Sequence, residues 1–179
     1  HYAAAEDERR LRGVAAMCAP LDLHATQQHL DRPQQFVYRH YVLRGLKQIY
    51  AAVARNHDVP TPNEEVQRCR TFRDWDRLAI APRYGYDSPE SFYRAQSAAN
   101  VIADLTVDTV LVLARNDPII PPSLALPFLA QAPFGKMHVN VMLRGGHMQF
   151  PRGQSLGFES PRNGDVISQL ASHWRKLAG

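Results

Sequence analysis

The chain has 179 residues, 45% of them hydrophobic and 21% charged, a balance suited to one soluble globular domain rather than a disordered tail. Its net charge is +4, but the basic residues (Arg9, Arg10, Arg12, Arg39, Arg44, Arg55) stand singly and form no block interleaved with aromatics, so no nucleic-acid surface is expected. Cys18 and Cys69 are too few and too far apart for a zinc cluster or a disulfide framework, and no apolar run approaches the roughly 18 residues of a membrane span.

The first residues, "YAAAEDERRLRG", are rich in helix formers and read as the end of a helix that stops at Gly13. A helix that ends so early implies an earlier start, so an N-terminal part is expected upstream, together with any targeting signal. In default of one, the expectation is a cytoplasmic protein. "GVAAMCAP" (Gly13–Pro20) is a short apolar run closed by proline and reads as a buried parallel strand. The character then changes. "QQFVYRHYVLRGLKQIYAAVAR" (Gln34–Arg55) has apolar residues at helical spacing, with Pro33 acceptable at its start. Two shorter helices are expected at Glu64–Asp76 and Ser88–Ala98, the second with Ser88 as cap and Pro89 in its first turn.

"DTVLVLARNDPIIPP" (Asp108–Pro122) is the clearest strand, a fully apolar run that turns at Asn116-Asp117-Pro118. A helix over Ser123–Ala132 follows. In "KMHVNVMLRGGHMQF" (Lys136–Phe150), Met137, Val139, Val141 and Leu143 alternate with polar or smaller residues, which predicts a strand with one face covered more than the other. "GDVISQLASHWRKL" (Gly164–Leu177) places Val166, Ile167, Leu170, Trp174 and Leu177 on one helical stripe. Strands alternating with helices give an α/β fold with three parallel strands, interrupted by a helical insertion. The expected division is residues 1–20 and 101–179 as a partial core, with 21–100 as the insertion.

In open parallel sheets, ligands bind beyond the carboxyl ends of the strands. Two strands end in residues suited to catalysis, Asp117 past Leu113 and His147 past Leu143. A carboxylate beside an imidazole selects its tautomer and stabilises the imidazolium formed when it takes a proton. Taken singly, Asp-Pro also serves as a turn and Gly-Gly-His as an ordinary loop. Together they occur in the order acid then histidine, which is the second half of the order Ser, Asp, His used by α/β-hydrolases.

"AMCAPLDL", "FRDWDRLAIAPRYGYDSPESFYRAQSA", "VLVLARNDPIIPP" and "RGGHMQF", in this order, resemble the C-terminal half of an α/β-hydrolase of the YheT-like esterase branch, and the similarity runs across almost the whole chain. The resemblance implies that Asp117 and His147 are catalytic. It also implies that residues 21–100 form a helical cap carrying a Phe-x-x-Asp-like motif (Phe72 to Asp76) and a tyrosine segment (Phe92-Tyr93). The family's nucleophile elbow and oxyanion-hole loop precede the strand at Gly13–Pro20 and so lie outside these residues.

A Gly-x-Ser-x-Gly match does occur, at Gly153–Gly157. A nucleophile elbow needs a strand before the serine and a helix directly after it. Here "HMQFPR" precedes Ser155 and "FESPRNG" follows, and His147 lies only eight residues upstream in the same loop. Ser155 therefore reads as a loop residue.

The reading is a serine carboxylic-ester hydrolase without cofactor or metal, acting on a small-molecule ester or lipid-like substrate. Asp117 and His147 act with a serine from the N-terminal half of the same protein. Met148, Phe150, Phe72, Trp75 and Tyr93 are candidate walls for the acyl group, each equally able to be plain core. This chain alone is expected to be inactive and, with strand edges unprotected, to fold poorly without its other half. The alternative is a non-catalytic α/β-hydrolase-fold binding module.

Overall fold

A computed structural model describes residues 11–158 and 164–178. The expected helix before Gly13 falls largely outside the described residues. Gly13 itself opens a strand, β1 (Gly13–Met17), and is not a helix stop. The reason for glycine there is close packing of the C-terminal helix on the strand, because a Cβ at position 13 would lie 2.2 Å from the Trp174 ring.

The chain divides into two compact units, one holding the described residues up to Leu21 and from Ala98 onward, the other Asp22–Ser97. The first is α/β. β1, β2 (Asp108–Ala114) and β3 (Met137–Met142) form a parallel sheet in the order β1-β2-β3, with Ala15 opposite Val110 and Leu111 opposite Val139. Short helix α7 (Leu126–Leu129) and the longer α8 (Val166–Ala178) flank it. Parallel strands cannot be joined by a tight turn, so each connection carries helix or a long excursion.

β2 explains its own sequence. Leu111 and Leu113 face a cluster with Leu21, Ile102 and Leu105. Val110 and Val112 face the other way, against Met142, Leu156, Val166 and Leu170. Both faces are covered, so the strand is apolar throughout instead of alternating. β3 has one face covered more than the other, and it is not the valine face. Val139 and Val141 are 37% and 39% exposed, while Met142, on the opposite face, is buried. The strand lies at the edge of the sheet, where apolar alternation does not reveal which face is covered. Ile167, expected on the buried stripe of α8, is likewise exposed, whereas Val166 and Leu170 are buried. The helix expected over Ser123–Ala132 is reduced to a 3-10 turn (Pro122–Leu124) and α7, as prolines at 121, 122, 127 and 133 limit its backbone hydrogen bonding.

The second unit is all-helical: α1 (Leu23–Leu30), α2 (Phe36–Ala54), α3 (Asn63–Val66), α4 (Phe72–Trp75), a π turn (Asp76–Ile80), α5 (Ala81–Arg83) and α6 (Pro89–Gln96). α1 has weak apolar periodicity but a clear start, since the Asp22 carboxylate accepts from the Ala25 amide at 2.9 Å. α6 begins with Ser88 and Ser91 capping each other reciprocally. The helix expected over Glu64–Asp76 is broken after Val66 and restarts at Phe72. The restart has two acceptors, the Thr71 hydroxyl for the Asp74 amide and the Asp31 carboxylate for the amides of Phe72 and Arg73. The unit has its own core of Leu43, Tyr50, Val66, Cys69, Trp75, Leu78 and Ala79. Tyr50 donates to the Thr61 carbonyl at 2.8 Å, and the Thr61 hydroxyl donates to the Leu78 carbonyl at 2.6 Å, which satisfies the polar groups inside it.

Candidate active site

β2 and β3 end side by side, because Ala114 pairs with Met142 and the Arg115 amide still donates to the Met142 carbonyl at 2.9 Å. The chain leaving β2 turns at once, with the Asp117 amide bonded to the Ala114 carbonyl. Asp117 Oδ1 then accepts from the amides of Ile119 (2.8 Å) and Ile120 (2.9 Å). These two bonds hold the carboxyl in one orientation, and Pro118, lacking an N–H, offers no competing donor.

The other oxygen, Oδ2, lies 3.0 Å from His147 Nδ1. The Asp117 side chain is fully buried and that of His147 is one third exposed. An ionised carboxylate can only accept, so Nδ1 carries the proton and Nε2 is left as a base. His147 sits in a tight turn in which the Gly146 amide donates to the Gln149 carbonyl at 3.0 Å. The turn needs glycine at 145, where φ is +119° and a Cβ would lie 2.4 Å from the Gln149 carbonyl oxygen.

A third group, not singled out as functional from the sequence, completes this corner. Cys18 follows directly after β1, its amide donating to the Val112 carbonyl at 2.8 Å, and its backbone turns into the left-handed region (φ 47°). Its sulfur, an Asp117 oxygen and a His147 ring nitrogen lie within 4.8 Å of one another. Burial, with the Asp117 carboxylate adding to it, pushes the Cys18 thiol up, so it stands as a neutral S–H donor. Among the described residues these three are the one group with mixed donors placed to hold a metal ion. The only signal in the sequence was position: Cys18 lies past the end of β1 as Asp117 lies past the end of β2.

Met148 and Phe150 line a depression of about 710 Å³ beside the turn, with Gly145, Gly146, Gln149 and Pro151. Met148 is half exposed and, like Cys18, holds a positive φ (59°). The helical residues Phe72, Trp75 and Tyr93 belong to the second unit. Trp75 lies in the core of the helical unit, meeting Tyr50 edge to face at 5.9 Å, and Phe72 packs against that core. Tyr93 is buried, stacks on His24, and donates to Asp76 Oδ2 at 2.5 Å. Burial drives the Asp76 carboxyl up to about 6 despite that hydrogen bond. Ser155 is exposed in a loop between two left-handed glycines, Gly153 and Gly157, its hydroxyl accepting from the Gly157 amide at 3.0 Å. Among the described residues no helix begins there; α8 starts at Val166.

No family model matches the chain. Two relatives align over 77% of it: "Putative esterase slr0264" of Synechocystis sp., 24% identical, and "Putative esterase YheT" of Escherichia coli, 27% identical. The chain is similar to esterases of the α/β-hydrolase superfamily, in its YheT-like branch. The aligned residues make up 38% and 41% of those two proteins, so the chain spans about two fifths of the relatives it matches. A "Monoacylglycerol lipase" of Saccharomyces cerevisiae aligns over 53% of the chain at 25% identity. Among solved structures, a thermophilic esterase from Thermogutta terrifontis covers 93% of the chain at 14% identity, with a TM-score of 0.39.

Proposed function

We propose that this chain supplies the acid and the base of a serine carboxylic-ester hydrolase. The supporting observation is the contact between His147 Nδ1 and Asp117 Oδ2, made by a buried carboxylate that two amides already orient. A serine from a segment outside these 179 residues attacks the ester carbonyl while His147 Nε2 takes its proton. The imidazolium that results is stabilised by Asp117, then returns the proton to the leaving alcohol. Water repeats the sequence to release the acid. The tetrahedral oxyanion requires donors that also lie outside these residues.

The depression by Met148 and Phe150 is suited to the acyl portion of a small ester. The helical unit, Asp22–Ser97, serves as the cap, with Phe72, Trp75 and Tyr93 acting on substrate indirectly, by shaping that unit. The test is fluorophosphonate labelling of the full-length protein with mapping of the adduct. The expected adduct is on a serine outside this chain and disappears in His147→Ala. An adduct on Ser155, or none on folded protein, overturns the proposal, and the second result favours a binding module.

A further inference from the structure

The outer face of α2 is a feature that the proposed hydrolysis leaves unused. α2 buries one side, through Leu43 and Tyr50, in the core of the helical unit. Its opposite side is also apolar, yet open. Val37 is 67% exposed and Tyr41 78%, with Phe36, Tyr38 and Ile49 exposed on either flank. Val37, Tyr41, Arg44, Gln48, Ala52 and Arg55 follow one another at steps of three and four, a single exposed row along the helix. A solvated helix face carries charge of both signs and few large apolar groups.

The charge here has one sign only. From Arg32 to His57 the chain carries five Lys or Arg residues and no Asp or Glu. Read along the chain these cations look dispersed; at helical spacing Arg44, and Arg55 at the C-cap, fall in the same exposed row as Val37 and Tyr41. Two serve the fold. Arg39 donates to the carbonyls of Leu30 and Arg32, and Lys47 to those of Gln67 and Cys69. Arg44 makes no hydrogen bond or ion pair among the described residues, and it borders a cavity of about 780 Å³ that Phe36, His40, Arg68 and Arg70 also line and that no carboxylate enters.

We propose that the helical unit docks on an anionic lipid surface through this face of α2. Tyr41, Val37 and Phe36 would enter the boundary between headgroups and acyl chains while Arg44, Arg68 and Arg70 meet lipid phosphates. One sign of charge around an open apolar row is the pattern such a surface complements. A neutral protein surface needs no excess of cations, and a nucleic acid has no use for the exposed valine.

The test is flotation of the full-length protein with phosphatidylcholine vesicles, with and without phosphatidylglycerol, at low and high salt. Binding is read without turnover, so the result does not depend on the hydrolase reading. The expected result is flotation only with the anionic vesicles, lost at high salt. Arg44→Glu lowers partition about tenfold or more, as does Val37→Ser with Tyr41→Ser. Ile167→Ser, an equally exposed apolar residue on α8, leaves it unchanged, and circular dichroism checks that each variant is folded. Absence of flotation by the wild-type protein overturns the proposal, as does salt-insensitive flotation on neutral vesicles. So does equal retention on a short RNA duplex, or a change in oligomeric mass by the α2 variants without flotation.

Discussion

The Cys18 thiol and the Asp117 carboxylate stand together at the ends of adjacent strands, the sulfur within 4.8 Å of a carboxylate oxygen. Two amides and an imidazole already meet that carboxylate, and the neutral thiol is a further donor beside it. Cys18→Ala removes this donor. The expected effect, on the hydrolase reading, is a loss of about tenfold in the rate of fluorophosphonate labelling of the full-length protein, of the size of one weakened hydrogen bond to a charged group. Cys18→Ser keeps a donor and the expected rate stays within about threefold of wild type. Cys18→Val adds a β-branched side chain in a left-handed backbone and is expected to cost about 2 kcal/mol in chemical denaturation.

Gly145 and Gly146 are neighbours with opposite requirements. At 145 a methyl group meets the Gln149 carbonyl at 2.4 Å in a backbone with φ +119°, while at 146 a Cβ meets nothing within 4 Å. Gly145→Ala is expected to displace His147 from Asp117, read by NMR as loss of the hydrogen-bonded Nδ1 proton. Gly146→Ala is expected to retain that resonance.

Asp76 makes stability depend on pH. Its carboxyl stands at about 6 in the folded protein against an ordinary 3.8, because burial disfavours the charged form. Between those values the folded protein holds a proton the unfolded chain has lost, so the stabilisation is complete below 3.8 and disappears as pH rises through about 6. Asp76→Asn keeps an acceptor for Tyr93 and carries no charge. It is expected to raise stability at pH 7 by about 2 kcal/mol and to give no gain near pH 4, measured by urea denaturation at both values.

Leu111 and Val139 face each other across β2 and β3 but differ in burial, 1% against 37%. Leu111→Ala is expected to cost about 2–5 kcal/mol, and Val139→Ala about 0.5 kcal/mol or less, in the same denaturation assay.

Asp117 and His147 were legible because each closes an apolar run, and a parallel sheet brings such run-ends to one edge. The partnership of Cys18 was not. A cysteine that ends an apolar run looks like core, and its left-handed φ is a backbone property with no mark in the residue type. The break between Val66 and Phe72 was hidden for another reason. The Asp31 carboxylate that restarts the helix lies 41 residues from Phe72, beyond the reach of any local pattern. For β3, alternation marked two faces but not the covered one, since an edge strand lacks the neighbours that would decide it. Trp75 and Tyr93 look alike in sequence whether they line a pocket or fill a core, and here both are buried within the helical unit.

The helical unit closes on itself. The amide of Leu23, at its first turn, donates to the hydroxyl of Ser97, at its last residue, at 3.0 Å, and the amide of Ala99 bonds the carbonyl of Leu21 at 2.9 Å on the other side of the junction. To the sheet, the whole excursion has the span of a short loop. An excursion with adjacent ends and a core of its own can be lengthened, shortened or exchanged in evolution without moving Cys18, Asp117 or His147. Such a chain can exchange its helical unit while the cluster at the strand ends stays in place.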